Sequence, residues 1–436
     1  NNGINQASFT VSSSQNSTSL PLITGFKADP NNQWTAAQLG ITTTPKGSLN
    51  LTSETLELPT VWRSSLAADK KLGNGWSSTF EITLTKNLSE IDYMNLNLSA
   101  PIGTTVGPDS RLVYATGGTL GNRVDIPGGN PYTDVILLTN TPSTKDKGFA
   151  YNFVASLTKR TNTGFTFDVN YAFGNSLIMN EGTSSVNYSQ WRFTETVNGR
   201  NNINRNISDF SQGHRIFAYL SKKFSYAKNK LATTLSLTYT GQSGSPVSYV
   251  YAGSSMVRDA DPSGGLTNDL IYVPTEKDLI GMTFLSNTVN GVTFTPDQQK
   301  AALNTYIQND GYLKNRRGEF AERNGGRTPF TNILDVRIAQ DFNIKLGKDR
   351  VQFQLVYQIA NVGNLINRNW GRNYFASNDQ VGLINFVGYV STTNLTPQYR
   401  FNPAFNTNGA FNVSDSPVPN YGSRWFSQLE FRLNLF

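Results

Sequence analysis

The chain of 436 residues contains no cysteine and only one histidine, His214. Without cysteine there is no disulfide framework and no thiolate chemistry. A lone histidine cannot build a metal site or a catalytic triad without partners, so we expect His214 to be structural. The sequence also lacks a nucleophile elbow, a P-loop and a zinc signature, and we therefore expect that the protein is not an enzyme and has no catalytic residues.

Strong charge of either sign is missing as well. The 37 lysines and arginines and the 30 acidic residues leave a formal charge of +7, and the basic residues are scattered along the chain. This pattern does not predict a nucleic-acid partner. The first residues, Asn-Asn-Gly-Ile-Asn-Gln, have neither the basic nor the apolar part of a signal peptide. We expect either that a signal peptide has been removed or that the sequence starts inside a longer protein.

Long hydrophobic runs are also absent. Only 37% of the residues are hydrophobic, the mean hydropathy is −0.38, and no stretch approaches the roughly 18 apolar residues of a membrane-spanning helix. Aromatic residues nevertheless reach 12%, with 26 Phe and 19 Tyr. Such an aromatic content argues against a disordered polar chain.

The most informative pattern is a strict alternation of apolar and polar residues. Between Gly164 and Phe173 every second residue is aromatic or β-branched, and the residues between them are Thr, Asp, Asn and Ala. Only a β-strand places alternate side chains on opposite faces. At least seven stretches share this pattern, which indicates strands with one face in lipid and the other in water.

The spacing of these stretches predicts an all-β fold, a transmembrane antiparallel β-barrel. We expect about 12 to 14 strands in a single domain over residues 1–436, with short periplasmic turns and long extracellular loops. The long loops are predicted at about 1–56, 103–129, 175–213, 253–327 and 363–423. Strand segments are also predicted near residues 90–100 and 134–140 and, within the loop 175–213, at 185–193. The Leu-Gly-Asn-Gly sequence at residues 72–75 predicts a hairpin turn. One helix is predicted from Thr295, a capping residue followed by proline, to about Asn309. A soluble multi-domain β protein is the alternative, although loops this long argue against it.

One loop carries an oxygen-rich group of side chains, Asp259, Asp261, Asn268 and Asp269. Carboxylate and amide oxygens at such spacing can wrap Ca²⁺, so the sequence offers a candidate calcium loop. The alternative is an ordinary solvated turn, in which Asp and Asn cap the backbone. Calcium is the only cofactor that the sequence suggests, and it identifies no substrate-binding residues.

The chain ends on a strand pattern that is typical of membrane insertion. Leu433 and Leu435 share one face, and the terminal Phe436 falls on the opposite parity. We interpret Leu433, Leu435 and Phe436 as a membrane-assembly signal. Four charges on the polar faces of the predicted strands, Asp335, Arg337, Glu430 and Arg432, are expected to pair within the barrel, and contact with a plug or a substrate is the alternative. Glu81 and Asp168 face the same wet side, and two carboxylates on separate strands do not by themselves make an acid–base pair.

Short motifs along most of the chain carry a family resemblance. They lie at residues 58–63 (LPTVWR), 85–87, 95–98, 241–246 (GQSGSP), 268–274 (NDLIYVP), 317–324 (RGEFAERN) and 361–367 (NVGNLIN). With these motifs the chain resembles the C-terminal barrel part of TonB-dependent outer-membrane receptors, and in particular the Oar-like group. The calcium loop matches the family pattern only in part, because Pro262 and Ser263 replace some of its polar residues.

The resemblance implies a barrel of about 22 strands in the bacterial outer membrane. Under this reading the chain supplies the C-terminal strands, while the N-terminal strands and the plug domain belong to a part of the protein that is missing here. The implied partners are outer-membrane lipids, a TonB-type energy-coupling protein and surface lipoproteins. The implied function is the transport of a large substrate.

Two other functions remain open at the level of sequence. The chain could close alone as a passive outer-membrane channel, since a barrel of about 14 strands needs no plug. It could also be a structural or accessory barrel subunit of an outer-membrane complex. The identity of the substrate and the direction of its transport are beyond the sequence.

Overall fold

Long antiparallel strands dominate the fold. The computed structural model describes residues 5–6, 29, 32, 47–116, 123–125, 127, 132–260, 265–346, 349–405, 412–413 and 423–435. Nine long strands form one continuous meander, in which each strand pairs with the next of the nine. They are β1 (Thr60–Gly73), β2 (Trp76–Ser89), β3 (Phe149–Arg160), β4 (Phe165–Ile178), β5 (Gly213–Tyr226), β6 (Leu231–Gln242), β7 (Thr331–Leu346), β8 (Asp349–Ala360) and β9 (Phe426–Leu435).

The connections between these strands differ sharply at the two ends of the sheet. At one end the chain turns within residues 74–75, 161–164 and 227–230, and only two residues separate the end of β7 at Leu346 from the start of β8 at Asp349. At the other end it makes the long excursions 90–148, 179–212, 243–330 and 361–425. Gly75 shows why one of the tight turns needs glycine, because its φ is +78° and a Cβ would lie 2.0 Å from the Arg160 carbonyl oxygen. The predicted alternation of short turns and long connections is confirmed.

The two faces of the meander differ in chemistry, as the alternation predicts. Register places the apolar side chains of neighbouring strands side by side, for example Phe80 beside Ala155 and Leu237 beside Val336. We call this side the apolar face; it includes Leu66, Phe80, Leu84, Phe153, Leu157, Phe167, Phe173, Leu220, Leu237, Val336, Tyr357 and Phe431. The polar face includes Thr79, Glu81, Asp168, Asn170, Ser221, Ser236, Asp335, Arg337, Gln354, Gln428 and Glu430.

The exposure of the two faces shows how the sheet curves. Leu429 and Phe431 on the apolar face are more than 60% exposed, whereas Ala339 and Val356 on the polar face are fully buried. Ser221 and Ser236, also on the polar face, are nearly buried and hydrogen-bond each other. Side chains crowd on the inner side of a curved sheet, so the polar face is the inside and the apolar face the outside.

The outer strands of the meander do not pair with each other in the described part of the chain. β1 pairs only with β2, and β9 only with β8. The nine described strands therefore form an open arc rather than a closed barrel. The prediction of about 12 to 14 barrel strands counted segments near residues 90–100, 134–140 and 185–193, and none of these belongs to the arc.

The predicted long loops are in fact rich in secondary structure. Residues 185–193, predicted as a strand, contain a helix instead. Four strands form one small sheet in the order Asn5–Gln6, Gly47–Thr52, Tyr132–Asn140 and Ile91–Asn95. A five-stranded sheet has the order Thr283–Phe284, Pro397–Arg400, Gln380–Tyr389, Pro246–Gly253 and Gly326–Arg327. Most of the predicted loop 1–56 lies outside the described residues.

Short strand pairs and helices form the remaining secondary structure of the long connections. The strand pairs are Gly103–Thr104 with Leu112–Val113, Tyr272–Val273 with Glu319–Phe320, Asn287–Val289 with Val292–Phe294, and Tyr374–Phe375 with Asn412–Val413. A further short strand, Asn206–Ile207, pairs with the end of β4. The helices are α1 (Asn187–Arg192), α2 (Glu276–Gly281), α3 (Pro296–Asn309) and α4 (Val362–Ile366), with 3₁₀ turns at Arg200–Asn202, Leu313–Asn315 and Ser377–Asp379.

The predicted helix is confirmed in α3. Thr295 is its N-cap, Pro296 its first residue, and a reciprocal capping box joins Thr295 and Gln298. The helix ends at Asn309, as the Asn-Asp-Gly sequence predicts. None of the described helices is long and apolar enough to cross a membrane.

The long connections share a hydrophobic core of their own. It joins Tyr249 and Ile271 from residues 243–330, and Leu303 on α3, with Ile384 and Phe401 from residues 361–425. A smaller cluster packs Tyr93, Ile136, Trp191 and Ala260 from three connections. We call the four long connections together the surface layer. They are packed against one another and form a folded unit on one end of the arc.

Candidate functional site

The polar face of the arc provides a water-compatible wall. Asp341 is almost buried there; it accepts a hydrogen bond from Gln354 at 2.5 Å and forms an ion pair with Lys223 at 3.0 Å. The polar face therefore satisfies its buried groups internally. A polar inner wall is what an aqueous lumen requires.

The charges predicted on the polar face have separate partners rather than one common centre. Glu430 pairs with Arg432 at 2.5 Å, and Asp168 lies 4.0 Å from Arg160. Asp335 accepts a hydrogen bond from the backbone N–H of Asn361 at 2.7 Å. Arg337 donates to Gln354 at 3.4 Å, and Glu81 accepts from Thr83 at 3.3 Å. These contacts support the strands and do not assemble an acid–base pair.

His214 has the contacts of a structural residue. Its ring stacks on Phe173 with 4.5 Å between the centroids, and its Nδ1 lies 2.7 Å from the Tyr171 hydroxyl. His214 sits near the start of β5, at the end of the arc that bears the surface layer.

Buried ion pairs tie the surface layer together. Arg111 is fully buried and binds both carboxylate oxygens of Asp109, at 2.7 and 2.9 Å. The Tyr251 hydroxyl donates to the same carboxylate at 2.7 Å, and Arg111 donates to the Leu270 carbonyl at 2.8 Å. Burial acts to lower the pKa of Arg111, but Asp109 outweighs it and raises that pKa above its ordinary value. Hydrogen bonds of the Arg111–Asp109 ion pair to Tyr251 and Leu270 thus join residues 90–148 to residues 243–330.

A second group of ion pairs joins three connections. Arg200 and Asp259 are both buried and are linked by a direct ion pair. The Arg200 backbone N–H also donates to Asp259 at 2.5 Å. Arg123 donates to the Asp259 carbonyl at 3.0 Å and pairs with Asp134 at 2.8 Å. Because these partners come from residues 90–148, 179–212 and 243–330, the three connections are fixed relative to one another.

The candidate calcium residues lie at this ionic group. Asp259 is bound by Arg200, whereas Asp269 accepts hydrogen bonds from Ser255 at 2.7 Å and from the Met256 N–H at 2.5 Å. Burial raises the pKa of Asp269, and its Oδ1 has no hydrogen-bond partner. Asn268 donates to the Phe193 carbonyl at 2.8 Å. Asp261 lies outside the described residues.

This arrangement fits calcium only in part. A guanidinium already occupies the Asp259 carboxylate, where a cation would have to bind. The described residues contain no group of three acidic, histidine or cysteine side chains arranged to hold a metal ion. The unpaired oxygen of Asp269 is the one feature in favour of a ligand. Calcium binding stays a prediction.

A polar cleft of about 630 Å³ opens at the junction of three connections. This volume is in the range of small-molecule sites, roughly 300 to 1,000 Å³. The cleft is polar: its lining includes the carboxylates of Glu181, Glu195, Asp209 and Asp379, the amides of Gln190, Asn268, Asn324 and Gln380, and the guanidinium of Arg323. The apolar ring of Phe193 lines the same cleft and is exposed.

The carboxylates of the cleft are held close together. Burial raises the pKa of Glu195, and Asp209 adds to the rise. The same two causes raise the pKa of Glu181. Gln380 donates to Glu195 at 2.8 Å, and Asn324 donates to Asp209 at 2.6 Å. The cleft therefore combines negative charge with fixed amide donors, which suits a polar ligand carrying hydroxyl or amine groups.

The structure places the predicted terminal signal on the outer strand. Leu433 is on the apolar face beside Phe353, and it is exposed. Leu435 is paired through its backbone with Val351. Phe436 lies outside the described residues. The role of these residues in assembly stays a prediction.

Sequence reasoning missed the residues that organise this end of the molecule. Arg111 and Arg200 lie in polar segments, and nothing in their neighbourhood in the sequence marks them as buried. The cleft likewise combines residues from distant parts of the chain, from Glu181 to Gln380. Their proximity follows from the packing of the surface layer.

The fold and the two faces define a class: a membrane β-barrel protein with an elaborate outer surface. A family model described as "Outer membrane beta barrel domain" matches residues 1–401. The chain belongs to this family, and it is an integral protein of the outer membrane. No curated protein and no solved structure matches the chain.

Proposed function

We propose that the chain supplies barrel strands and the surface layer of a TonB-dependent receptor, which moves a large substrate across the outer membrane. The observation that carries this proposal is the open arc with a polar inner face. An unpaired strand edge in lipid leaves backbone groups unsatisfied at a cost of several kcal/mol each. The edges of β1 and β9 therefore call for further strands, which would make the barrel wide.

A wide barrel with a polar lumen would leak solutes unless a plug filled it. We therefore propose that a further part of the protein supplies both the remaining strands, to about 22 in total, and a plug. A TonB-type protein would supply energy to move the plug, and surface lipoproteins are proposed as further partners. The surface layer would capture the substrate, and the polar cleft would bind one polar group of it.

The test compares the composition of a complex growth medium after culture of four strains. These carry the intact gene, no gene, the intact gene without the energy-coupling protein, and a cleft variant. We expect a compound to be depleted only when both the gene and the coupling protein are present. Depletion that persists without the coupling protein would refute active transport and favour a passive channel.

The cleft is tested with a matched pair of substitutions. Thr183 lines the cleft and is exposed, so Thr183→Trp should fill part of it and slow depletion of the compound. Thr305 is exposed on α3, away from the lining of the cleft, and Thr305→Trp is the control. Equal depletion by both variants would remove the cleft from the proposal but leave energy-coupled transport intact.

A further inference from the structure

A second cavity, of about 440 Å³, lies at the rim of the arc. Its walls are formed by Tyr239 at the end of β6, by Phe330 and Leu334 at the start of β7, and by Ile366 and Trp370 in and after α4. These side chains are apolar or aromatic. The cavity is therefore chemically unlike the polar cleft, and transport through the lumen does not use it.

The cavity opens on the lipid side of the sheet. Tyr239 has the parity of Leu235 and Leu237 on the apolar face, and it pairs with Leu334. A Cβ at Gly241, on the same face, would meet both Tyr239 and Phe330. Trp370 is 56% exposed and Ile366 is 70% exposed. In an outer-membrane protein these side chains face lipid at the level where strands meet the surface layer.

One arginine lines the cavity, and a second arginine lies four residues before it in the chain. Arg372 lines the cavity, and its Nε donates to the Arg368 carbonyl at 2.9 Å. This contact holds the Arg372 side chain against the Arg368 backbone and engages only the Nε of its guanidinium group. Arg368 is exposed, and in the described residues neither arginine forms an ion pair.

We propose that this rim cavity binds one lipid with a phosphorylated headgroup, holding an acyl chain against Trp370 and Ile366 and the phosphate at Arg368 and Arg372. Charge complementarity identifies the occupant: guanidinium groups bind phosphate through paired N–H donors. The aromatic rings of Tyr239 and Trp370 are suited to the same interface between headgroups and acyl chains.

The experiment is native mass spectrometry of the full gene product in a neutral detergent, with one added probe at a time. The probes are phosphatidylglycerol, phosphatidylcholine with the same acyl chains, and inorganic phosphate. The variant R368Q/R372Q removes both charges. The control R63Q/R160Q removes two exposed arginines from β1 and β3, and W370A removes one apolar wall.

We expect phosphatidylglycerol to bind more tightly than phosphatidylcholine. R368Q/R372Q should lose roughly fivefold in phosphatidylglycerol affinity for each arginine, or roughly 25-fold in total. The control should match the unmodified protein, and W370A should weaken both lipids. Equal phosphatidylglycerol affinities for R368Q/R372Q and the control would overturn the proposal. Inorganic phosphate bound as tightly as the lipid would overturn it too, by indicating a free-anion site.

Discussion

Arg200 and Asp259 are the residues on which the surface layer most depends. Both are buried, and each is the ionic partner of the other. Removing one partner of a buried pair leaves an uncompensated charge in a medium that solvates it poorly. Single charges in polar connections are ordinarily solvated, so their burial here marks a rigid structure rather than flexible loops.

We expect Arg200→Ala or Asp259→Ala to lower the stability of the surface layer by about 3 to 5 kcal/mol. The measurement is hydrogen exchange of backbone amides in residues 243–330. The double variant should lose less than the sum of the two single losses, because no unpaired charge remains. Additive losses would show that the two side chains do not stabilise each other.

Glu195 should make stability depend on pH. Its pKa is raised in the folded protein by burial and then by Asp209. The folded protein therefore holds this proton more tightly than the unfolded chain, and stability falls as pH rises between the two pKa values. Glu195→Gln should raise the melting temperature at pH 8, and the gain should vanish below about pH 4, where an unfolded Glu is protonated.

The control for this pH effect is Glu54→Gln, since Glu54 is exposed. Its melting temperature should follow that of the unmodified protein at every pH. A gain for Glu195→Gln that is the same at pH 4 and pH 8 would show that the effect does not arise from ionisation.

At the scale of elements, the strands of the arc should tolerate charge on one face only. Phe431 and Gln428 are both on β9, where Phe431 lies on the apolar face beside Leu355 and Gln428 lies beside Gln358. Phe431→Arg should cost about 2 to 4 kcal/mol if it lies near the middle of the membrane. Gln428→Arg should be nearly neutral, because it adds a charge to the polar face.

The amount of folded protein in outer-membrane fractions measures this difference. A loss for Phe431→Arg with normal levels for Gln428→Arg is the expected result. Equal losses would contradict the assignment of the two faces.

Prediction from sequence worked best for elements that local patterns determine. The alternation around Phe167, the Asn74–Gly75 turn and the capping box at Thr295 each lie within a few residues. It failed where contacts between residues far apart in the sequence determine the local structure. Residues 185–193 contain β-branched and aromatic residues, yet α1 forms there, and Trp191 packs with Tyr93 and Ile136. The strands of the two small sheets are likewise paired across long distances in the sequence.

The candidate sites were even less accessible to sequence reasoning. The loop with Asp259 and Asp269 was identified as chemically special, and the structure places it in the ionic group of the surface layer. Its ionic partner Arg200 could not be found, because no local pattern links residues so far apart. The polar cleft depends on three connections that meet only in the folded chain.

At the scale of the whole molecule, the surface layer should behave as a folded domain. Lys277 and Lys314 are exposed and present potential trypsin sites, but both lie in structured segments packed around the shared core. We expect trypsin added to intact cells to cleave residues 243–330 slowly. Rapid cleavage at both lysines in the unmodified protein would show that the connections are mobile; faster cleavage in Asp259→Ala would support the ionic group as their anchor.

The interlocking of the four long connections limits how the protein can diversify. In many barrels each loop can be exchanged by itself, because it hangs from one pair of strands. Here Asp259 contacts Arg123 and Arg200, whose side chains come from two other connections. A chimaera that imports residues 243–330 alone would lose the Arg200 partner of Asp259 and the hydrogen bond from Arg123. New ligand preferences should therefore arise by coordinated changes across connections, or by transplanting the entire layer onto the same strands.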